Sequence, residues 1–255
     1  MAEQHPLRDA GLAVSLLSVI PTPARWPEDG RTQVAGWFPA VGVLYGICGY
    51  GLIKLADLAG VTQRAPYVVA ALVVAVWGLG SRLLHWDGLA DVADGFWGSH
   101  EPVRRLEIMA DSHTGAFGAT AVAFIALLEV AAIGAIASTP HELPLLLVPV
   151  LSRFSATAAA WLGTPARPRG LGRSVLGHPT TLALIVGVAP LAGAIAGMWI
   201  GFHIVGLALG VFGLILAFAV PHVLSKRFGG ATGDVMGASV LITEALLFAA
   251  FALVG

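Results

Sequence analysis

Long apolar segments, separated by short polar stretches, are the feature of this sequence that most limits how it can fold. Each is close to the roughly 20 residues that an α-helix needs to cross the hydrocarbon core of a bilayer. Seven of them follow one another at about 36–58, 67–84, 116–137, 143–163, 181–200, 204–220 and 238–254. Only 11% of the 255 residues are charged, whereas soluble domains carry about 25%. The sequence therefore predicts an all-α polytopic membrane protein, folded as one domain over residues 1–255.

Two shorter features refine this topology. The apolar stretch 7–20 begins with Arg8 and Asp9 and is too short to cross a bilayer, so it predicts an N-terminal interfacial helix. Only residues 201–203 separate the fifth and sixth apolar segments, which predicts a tight helical hairpin.

The basic residues lie mostly on one side of the predicted topology. With seven spans, the N-terminus and the loops 85–115, 164–180 and 221–237 share a side, and together they hold ten of the fourteen Lys and Arg residues. Basic loops stay in the cytoplasm, so these segments are predicted to be cytoplasmic. The net charge of −1 gives no reason to expect nucleic-acid binding. The sequence leaves the oligomeric state open, and a homo-oligomer is compatible with it.

Three aspartates form the most informative polar pattern. Asp87, Asp91 and Asp94 are spaced i, i+4 and i+7, so on a helix they lie within roughly 60° of one another. Ionised carboxylates this close repel, and without a cation at least one pKa should rise. Mg²⁺ or Mn²⁺ would relieve the repulsion, and Mg²⁺ typically takes one or two carboxylates plus phosphate oxygens. A solvated acidic loop is the alternative, but the interleaved Leu89 and Val92 indicate partial burial.

A second acidic pair follows in the same segment. Glu107 and Asp111 are four residues apart, and Arg104 and Arg105 come just before them. Acidic metal ligands beside guanidinium groups are typical of phosphoryl-transfer sites. His113, next to this pair, is a candidate for proton transfer.

Two other loops of the same predicted side carry candidate phosphate ligands. Four arginines surround one of them, namely Arg153, Arg167, Arg169 and Arg173, although ordinary cytoplasmic loop charge is the alternative. The other contains Lys226, Arg227, two glycines and Asp234, which would add a metal ligand; a simple turn is the alternative.

Isolated polar residues within or beside the spans add further candidates. Glu129 and Glu244 are intramembrane carboxylates, which are costly and usually paired or functional. His85 and His222 lie near the predicted polar face, where each is a candidate for proton transfer or substrate contact; a structural hydrogen bond is the more common role of a single histidine.

These polar segments resemble the cobalamin synthase family, the adenosylcobinamide-GDP ribazoletransferases. The motifs that carry the resemblance are residues 38–42 (FPAVG), 85–95 (HWDGLADVADG), 104–118 (RRLEIMADSHTGAFG), 166–172 (ARPRGLG) and 229–238 (GGATGDVMGA). The long central motif is specific, and the matches keep the family's order from about residue 7 to residue 250.

The resemblance implies a membrane-bound, Mg²⁺-dependent enzyme of the bacterial cytoplasmic (inner) membrane. Its substrates would be adenosylcobinamide-GDP and α-ribazole or α-ribazole 5′-phosphate, and GMP would be released. With the pattern of residues, it predicts Asp87, Asp91, Asp94, Asp111 and His113 as catalytic residues. It predicts Arg104, Arg105, Glu107, Arg167, Arg169, Lys226 and Arg227 as substrate-binding residues. The predicted metal ligands are Asp87, Asp91, Asp94, Asp111 and Asp234.

Two other functions fit part of the pattern. The spacing of the aspartates is also similar to that of the CDP-alcohol phosphotransferases, which act on lipids, but the arginine of their motif is missing after Ala90. A cation-coupled transporter would place charges near the bilayer midplane, whereas nearly all charges of this chain gather toward one face. The predicted distribution of charge therefore favours an enzyme at the membrane surface.

Overall fold

The structure, a computed structural model, describes residues 5–27, 32–111, 113–168 and 170–254. Within these ranges the chain is helical, and its only strand-like pairing is an isolated bridge between Pro165 and Ala231. The helices are α1 (Pro6–Leu17), α2 (Phe38–Leu58), α3 (Pro66–Gly80), α4 (Leu84–Gly98), α5 (Pro102–Ile108), α6 (Ala116–Ala137), α7 (Leu143–Leu162), α8 (Leu171–Val175), α9 (Thr181–Phe228) and α10 (Gly233–Val254), with a short 3-10 helix at Val34–Trp37.

The helices confirm an all-α polytopic membrane protein. Among the described residues, five are long and apolar enough to cross a membrane: the helix that includes α2, then α6, α7, α9 and α10. The pair α3 and α4, bent by 89°, would add a sixth if it formed one broken span. The number of crossings stays a prediction.

Helix α9 is the predicted hairpin. His203 interrupts it with a positive φ of 50°, and a Cβ atom added at Gly210 would lie 3.2 Å from the side chain of Ile195. The two arms therefore run antiparallel on either side of residue 203. If each arm crosses the membrane, and α3 with α4 counts once, the seven predicted segments are all present.

Helix α7 forms the centre of the bundle. It is buried along most of its length and packs against α2, α9 and α10. Gly42 and Gly46 of α2 lie directly against the backbone of Pro149 and Leu146, where a Cβ atom would collide. Small residues allow such close approach between membrane helices, which maximises van der Waals contact.

The chain bends sharply before the aspartate segment. The second apolar segment was expected to continue to Leu84, but α3 ends at Gly80 because Arg82 and Leu83 adopt left-handed backbone conformations, with φ of 54° and 58°. Arg82 donates a hydrogen bond of 2.7 Å to the carbonyl of Ser15 in α1. The bend directs α4 across the end of the bundle, where it packs against α10 and α6.

In the last loop, too, the helices end at residues other than those at which the apolar segments end. The polar segment predicted at 221–237 is mostly helical, since α9 continues to Phe228 and α10 already begins at Gly233. Hydropathy marks the part of a helix that contacts lipid, whereas helices extend beyond the bilayer wherever their ends are capped.

Candidate active site

The polar segments predicted to share one side of the membrane meet at one end of the bundle. The Arg167 side chain donates a hydrogen bond of 2.9 Å to the carbonyl of Leu106, which joins the 164–170 loop to α5. The amide of Ala231 donates to the carbonyl of Thr164 at 2.7 Å, and the amide of Thr180 donates to the side chain of Gln33 at 2.9 Å. These contacts join the 164–170 loop to α5 and to Ala231, and they join Thr180 to Gln33.

Asp87 and Asp91 lie next to the beginning of α10. Gly88 makes this approach possible, because a Cβ atom there would be 2.8 Å from the carbonyl oxygen of Asp234. The Thr232 hydroxyl accepts a hydrogen bond from the Val235 amide at 3.1 Å and so caps α10. Asp234 therefore occupies the first turn of α10, where the helix dipole favours negative charge.

The predicted repulsion among the carboxylates is found at Asp91. Burial raises the pKa of Asp91 to about 7, and the carboxylates of Asp234, Asp87 and Asp94 add to the rise. Arg167, whose guanidinium lies 3.9 Å from Asp234, opposes it. Among the described residues, these four carboxylates outnumber the two guanidinium groups near them, those of Arg167 and Arg173.

Asp94 forms hydrogen bonds with the backbone that the sequence pattern did not predict. Its two carboxylate oxygens accept hydrogen bonds from the amides of Gly115, at 2.7 Å, and Gly118, at 2.9 Å. Asp94 thereby ties α4 to the beginning of α6.

The five predicted metal ligands do not form one compact cluster. Among residues 5–27, 32–111, 113–168 and 170–254, no group of three or more His, Cys, Asp or Glu side chains is arranged to hold a metal ion. Asp87, Asp91 and Asp234 interact electrostatically with one another, whereas Asp111 pairs with His113 through a contact of 2.7 Å. This hydrogen bond from His113 lowers the pKa of Asp111. The excess negative charge nevertheless fits a divalent cation that takes one or two carboxylates and completes its shell with phosphate oxygens.

An open groove of about 390 Å³ lies beside Asp94. Four predicted site residues line it: Arg104, Glu107, Asp111 and His113. Arg104 and Glu107 form an exposed ion pair of 2.7 Å, so the guanidinium stays accessible at the groove surface.

Arg105 is placed differently from its prediction as a substrate ligand. It is only 4% exposed, and its guanidinium donates hydrogen bonds to the carbonyls of Ser99, at 2.7 Å, and Arg227, at 2.8 Å. It also stacks over Phe96 and Phe228. Arg105 therefore connects α4, α5 and the end of α9, and its donors face protein carbonyls.

Two other basic candidates, Lys226 and Arg227, are not among the residues that line the groove beside Asp94. Lys226 lines a separate groove of about 400 Å³ between α7 and α9. The Arg227 guanidinium lies 6.0 Å from the ring of Phe96. Arg169 falls outside the described residues.

A cavity of about 200 Å³ opens beside Asp87, Asp234 and Arg167. Much of its lining is apolar and includes residues that sequence reasoning did not assign to the site: Leu16, Leu17, Phe38 and Val175. Of these four, only Phe38 carried a signal in the sequence, as part of one of the family motifs. His85 also lines the cavity, and the pKa of this ring is lowered to about 3, mainly by burial and further by Arg153.

One of the two intramembrane carboxylates has the partner expected of it. Glu244 forms a buried ion pair with Arg153 and accepts a hydrogen bond of 2.6 Å from Ser152. The Arg153 guanidinium also lies 4.5 Å from the ring of Tyr45. Glu129 is buried, and its Oε1 atom has no hydrogen-bond partner in the described part of the chain.

Comparisons with known proteins agree with the motifs. The family model described as cobalamin-5-phosphate synthase matches residues 9–252. Similar proteins named adenosylcobinamide-GDP ribazoletransferase include one from Syntrophobacter fumaroxidans, 39% identical over 95% of this chain and 97% of the relative. Another, from Corynebacterium efficiens, is 35% identical over 95% of this chain and 91% of the relative. No solved structure matches the chain significantly. The chain belongs to the cobalamin-5-phosphate synthase family.

Proposed function

We propose that the protein is an adenosylcobinamide-GDP ribazoletransferase. It transfers the cobinamide-phosphate group of adenosylcobinamide-GDP to α-ribazole or its 5′-phosphate and releases GMP. The observation that carries the proposal is the meeting of Asp87, Asp234 and Arg167 beside one cavity, all three within electrostatic reach of Asp91, in a chain whose relatives bear this name. Family membership favours this activity over the lipid phosphotransferase and the transporter.

The reaction exchanges a phosphoanhydride bond in the donor for a new phosphoester bond to the acceptor. The ribazole 3′-hydroxyl oxygen forms a bond to the phosphorus attached to cobinamide, and the bond from that phosphorus to the GMP oxygen breaks. Asp87, Asp91 and Asp94 form the aspartate stripe of α4. Arg167 borders the cavity beside Asp87, and Arg104 borders the groove beside Asp94, so both are placed to bind phosphate oxygens. The proton of the hydroxyl passes to a carboxylate of the stripe or to His113, which Asp111 orients.

The excess negative charge also supports Mg²⁺ as the cofactor. One or two of the carboxylates of Asp87, Asp91 and Asp234 would hold it together with phosphate oxygens, whereas Asp94 is engaged by the amides of Gly115 and Gly118. When bound, Mg²⁺ would neutralise charge on the diphosphate of the donor. Without it, the same carboxylates would repel a diphosphate.

The distribution of basic residues supports a proposal for where the protein is located. We propose that the protein lies in the bacterial cytoplasmic membrane, with its N-terminus and the aspartate end of the bundle in the cytoplasm. The basic loops around α4 support this orientation, and it gives a charged nucleotide donor direct access to the site.

The test is a turnover assay in nanodiscs that measures GMP release from adenosylcobinamide-GDP and α-ribazole 5′-phosphate. We expect release that needs Mg²⁺ and falls roughly 10²–10³-fold in Asp91→Asn, since a preorganised electrostatic partner of the transition state is lost. Asp57→Asn, a matched change in the ion pair of Asp57 with Lys54 within α2, should leave turnover intact. Turnover that persists in EDTA would overturn the Mg²⁺ proposal, and folded protein that releases no GMP would overturn the activity.

A further inference from the structure

Two spaces adjoin the aspartate stripe, one toward each end of α4. Asp87 borders the cavity of about 200 Å³, and Asp94 borders the groove of about 390 Å³. At 1.5 Å per residue, these aspartates are about 10 Å apart along the helix, with Asp91 between them. A reaction centred on Asp91 therefore has a separate space on each side.

The two spaces differ in chemistry. Apolar side chains from α1, α2, α8 and α10 line much of the cavity, among them Leu17, Phe38 and Met236. The groove is lined by four charged side chains, Asp94, Arg104, Glu107 and Asp111, of which the last three are exposed.

The two proposed substrates differ in the same way. The acceptor carries a flat, apolar, two-ring aromatic base whose one free ring nitrogen accepts hydrogen bonds. The donor carries a charged diphosphate and a large polar corrinoid. Apolar cavities with a few placed polar groups suit the former, and an open groove with an accessible guanidinium suits the latter.

His85 supplies an independent observation inside the cavity. His85 is one of the residues that line the space, and it is 4% exposed. Its Nε2 atom is buried and has no hydrogen-bond partner among the described residues. A buried ring nitrogen without a partner is unusual, and a ligand that supplies the partner would satisfy it.

We propose that this cavity is the acceptor subsite, where the base of ribazole binds and His85 donates a hydrogen bond to its free ring nitrogen. The inference rests on the proposed function and deepens it by giving each substrate its own space. The corrinoid part of the donor then occupies the groove beside Asp94, and the donor's diphosphate reaches Asp91, where the two substrates meet.

Direct binding tests this assignment without turnover. Equilibrium dialysis of nanodisc-embedded protein would measure the Kd of labelled α-ribazole and, separately, of adenosylcobinamide-GDP. His85→Phe keeps a ring but removes the nitrogen, so acceptor binding should weaken roughly 5- to 10-fold, the value of one hydrogen bond, while donor binding stays unchanged. His141→Phe, a change in an exposed histidine outside both spaces, is the matched control.

Two further measurements keep the outcome decisive. Free 5,6-dimethylbenzimidazole should compete with α-ribazole on the wild-type protein, which tests the subsite even if His85→Phe does not fold. Absence of competition, or equal weakening of donor and acceptor binding in folded His85→Phe, would overturn the assignment. In either case wild-type GMP release would show that the proposed activity still stands, whereas its absence would mean that the activity itself is wrong.

Discussion

Replacing Gly88 by alanine should separate catalysis from folding more cleanly than any other single change in α4. Gly88 lies between Asp87 and the rest of the stripe, on the surface that meets α10. An added Cβ atom would be 2.8 Å from the carbonyl oxygen of Asp234 and 3.0 Å from its Cα atom. Both neighbours are backbone, so the contact can be relieved only if α4 and α10 move apart.

The expected loss of turnover follows from the distance of 2.8 Å between the added Cβ atom and the Asp234 carbonyl oxygen. Ordinary carbon contacts begin near 3.5 Å, so the helices must separate locally by about 0.7 Å. Misplacement of catalytic groups by about 1 Å can reduce turnover about 100-fold, and we expect kcat/KM to fall roughly 10- to 100-fold. The free energy of unfolding should fall by at most about 2 kcal/mol, because overpacking costs about 1–3 kcal/mol and replacing glycine in a helix returns about 1 kcal/mol.

The assay is Mg²⁺-dependent GMP release in nanodiscs, together with thermal unfolding of the same samples. Gly51→Ala is the matched control, since Gly51 is also helical and a Cβ atom there would contact nothing within 4 Å. We expect it to keep full activity. Wild-type turnover by Gly88→Ala would refute the reasoning, because the close approach of Asp234 to the stripe would then be unnecessary.

Three other predictions concern charges in the protein. In EDTA, thermal stability should fall as the pH rises from about 4 to about 7, because Asp91 ionises near pH 4 in the unfolded protein, whereas its pKa is raised to about 7 in the folded one. Mg²⁺ or Asp91→Asn should flatten this pH dependence, and a flat wild-type profile in EDTA would contradict it. Arg105→Ala should lower the free energy of unfolding by about 2–4 kcal/mol through loss of its buried hydrogen bonds. Arg104→Ala should leave the melting temperature unchanged and raise the KM for the donor. Equal melting temperatures of the two variants would refute this contrast. Glu244→Gln should cost about 3–5 kcal/mol by leaving Arg153 unpaired, and replacing both by apolar residues should recover most of the loss in a thermal unfolding assay, so a double variant no more stable than the single one would count against this ion pair.

Features governed by local pattern could be predicted from the sequence. The apolar segments locate the membrane helices because a helix forms all of its backbone hydrogen bonds within itself and so needs no distant partner. The short polar break at 201–203 likewise leaves room only for a turn, and the structure shows one at His203.

Features that depend on distant contacts could not be predicted. Arg104 and Arg105 are adjacent and chemically identical, yet one is exposed and the other is held by the carbonyl of Arg227, 122 residues away. The bend after Gly80 is equally hidden, because it uses non-glycine residues in left-handed conformations that Arg82 helps to hold through α1. The cavity lining follows from that bend, since the contact brings the end of α1 to the site.

The aspartate stripe was predictable for a different reason. Leu89 and Val92 lie on the side of α4 opposite the aspartates, and both are buried in a cluster with Val235 and Leu241 of α10. Burial of this apolar side fixes the rotation of α4, so the acidic side must face away from the cluster. Asp111 has no comparable apolar anchor, because it follows the end of α5 and is exposed. A helix that carries both an apolar and an acidic stripe thus orients its own site, whereas a loop aspartate is placed only by the rest of the fold.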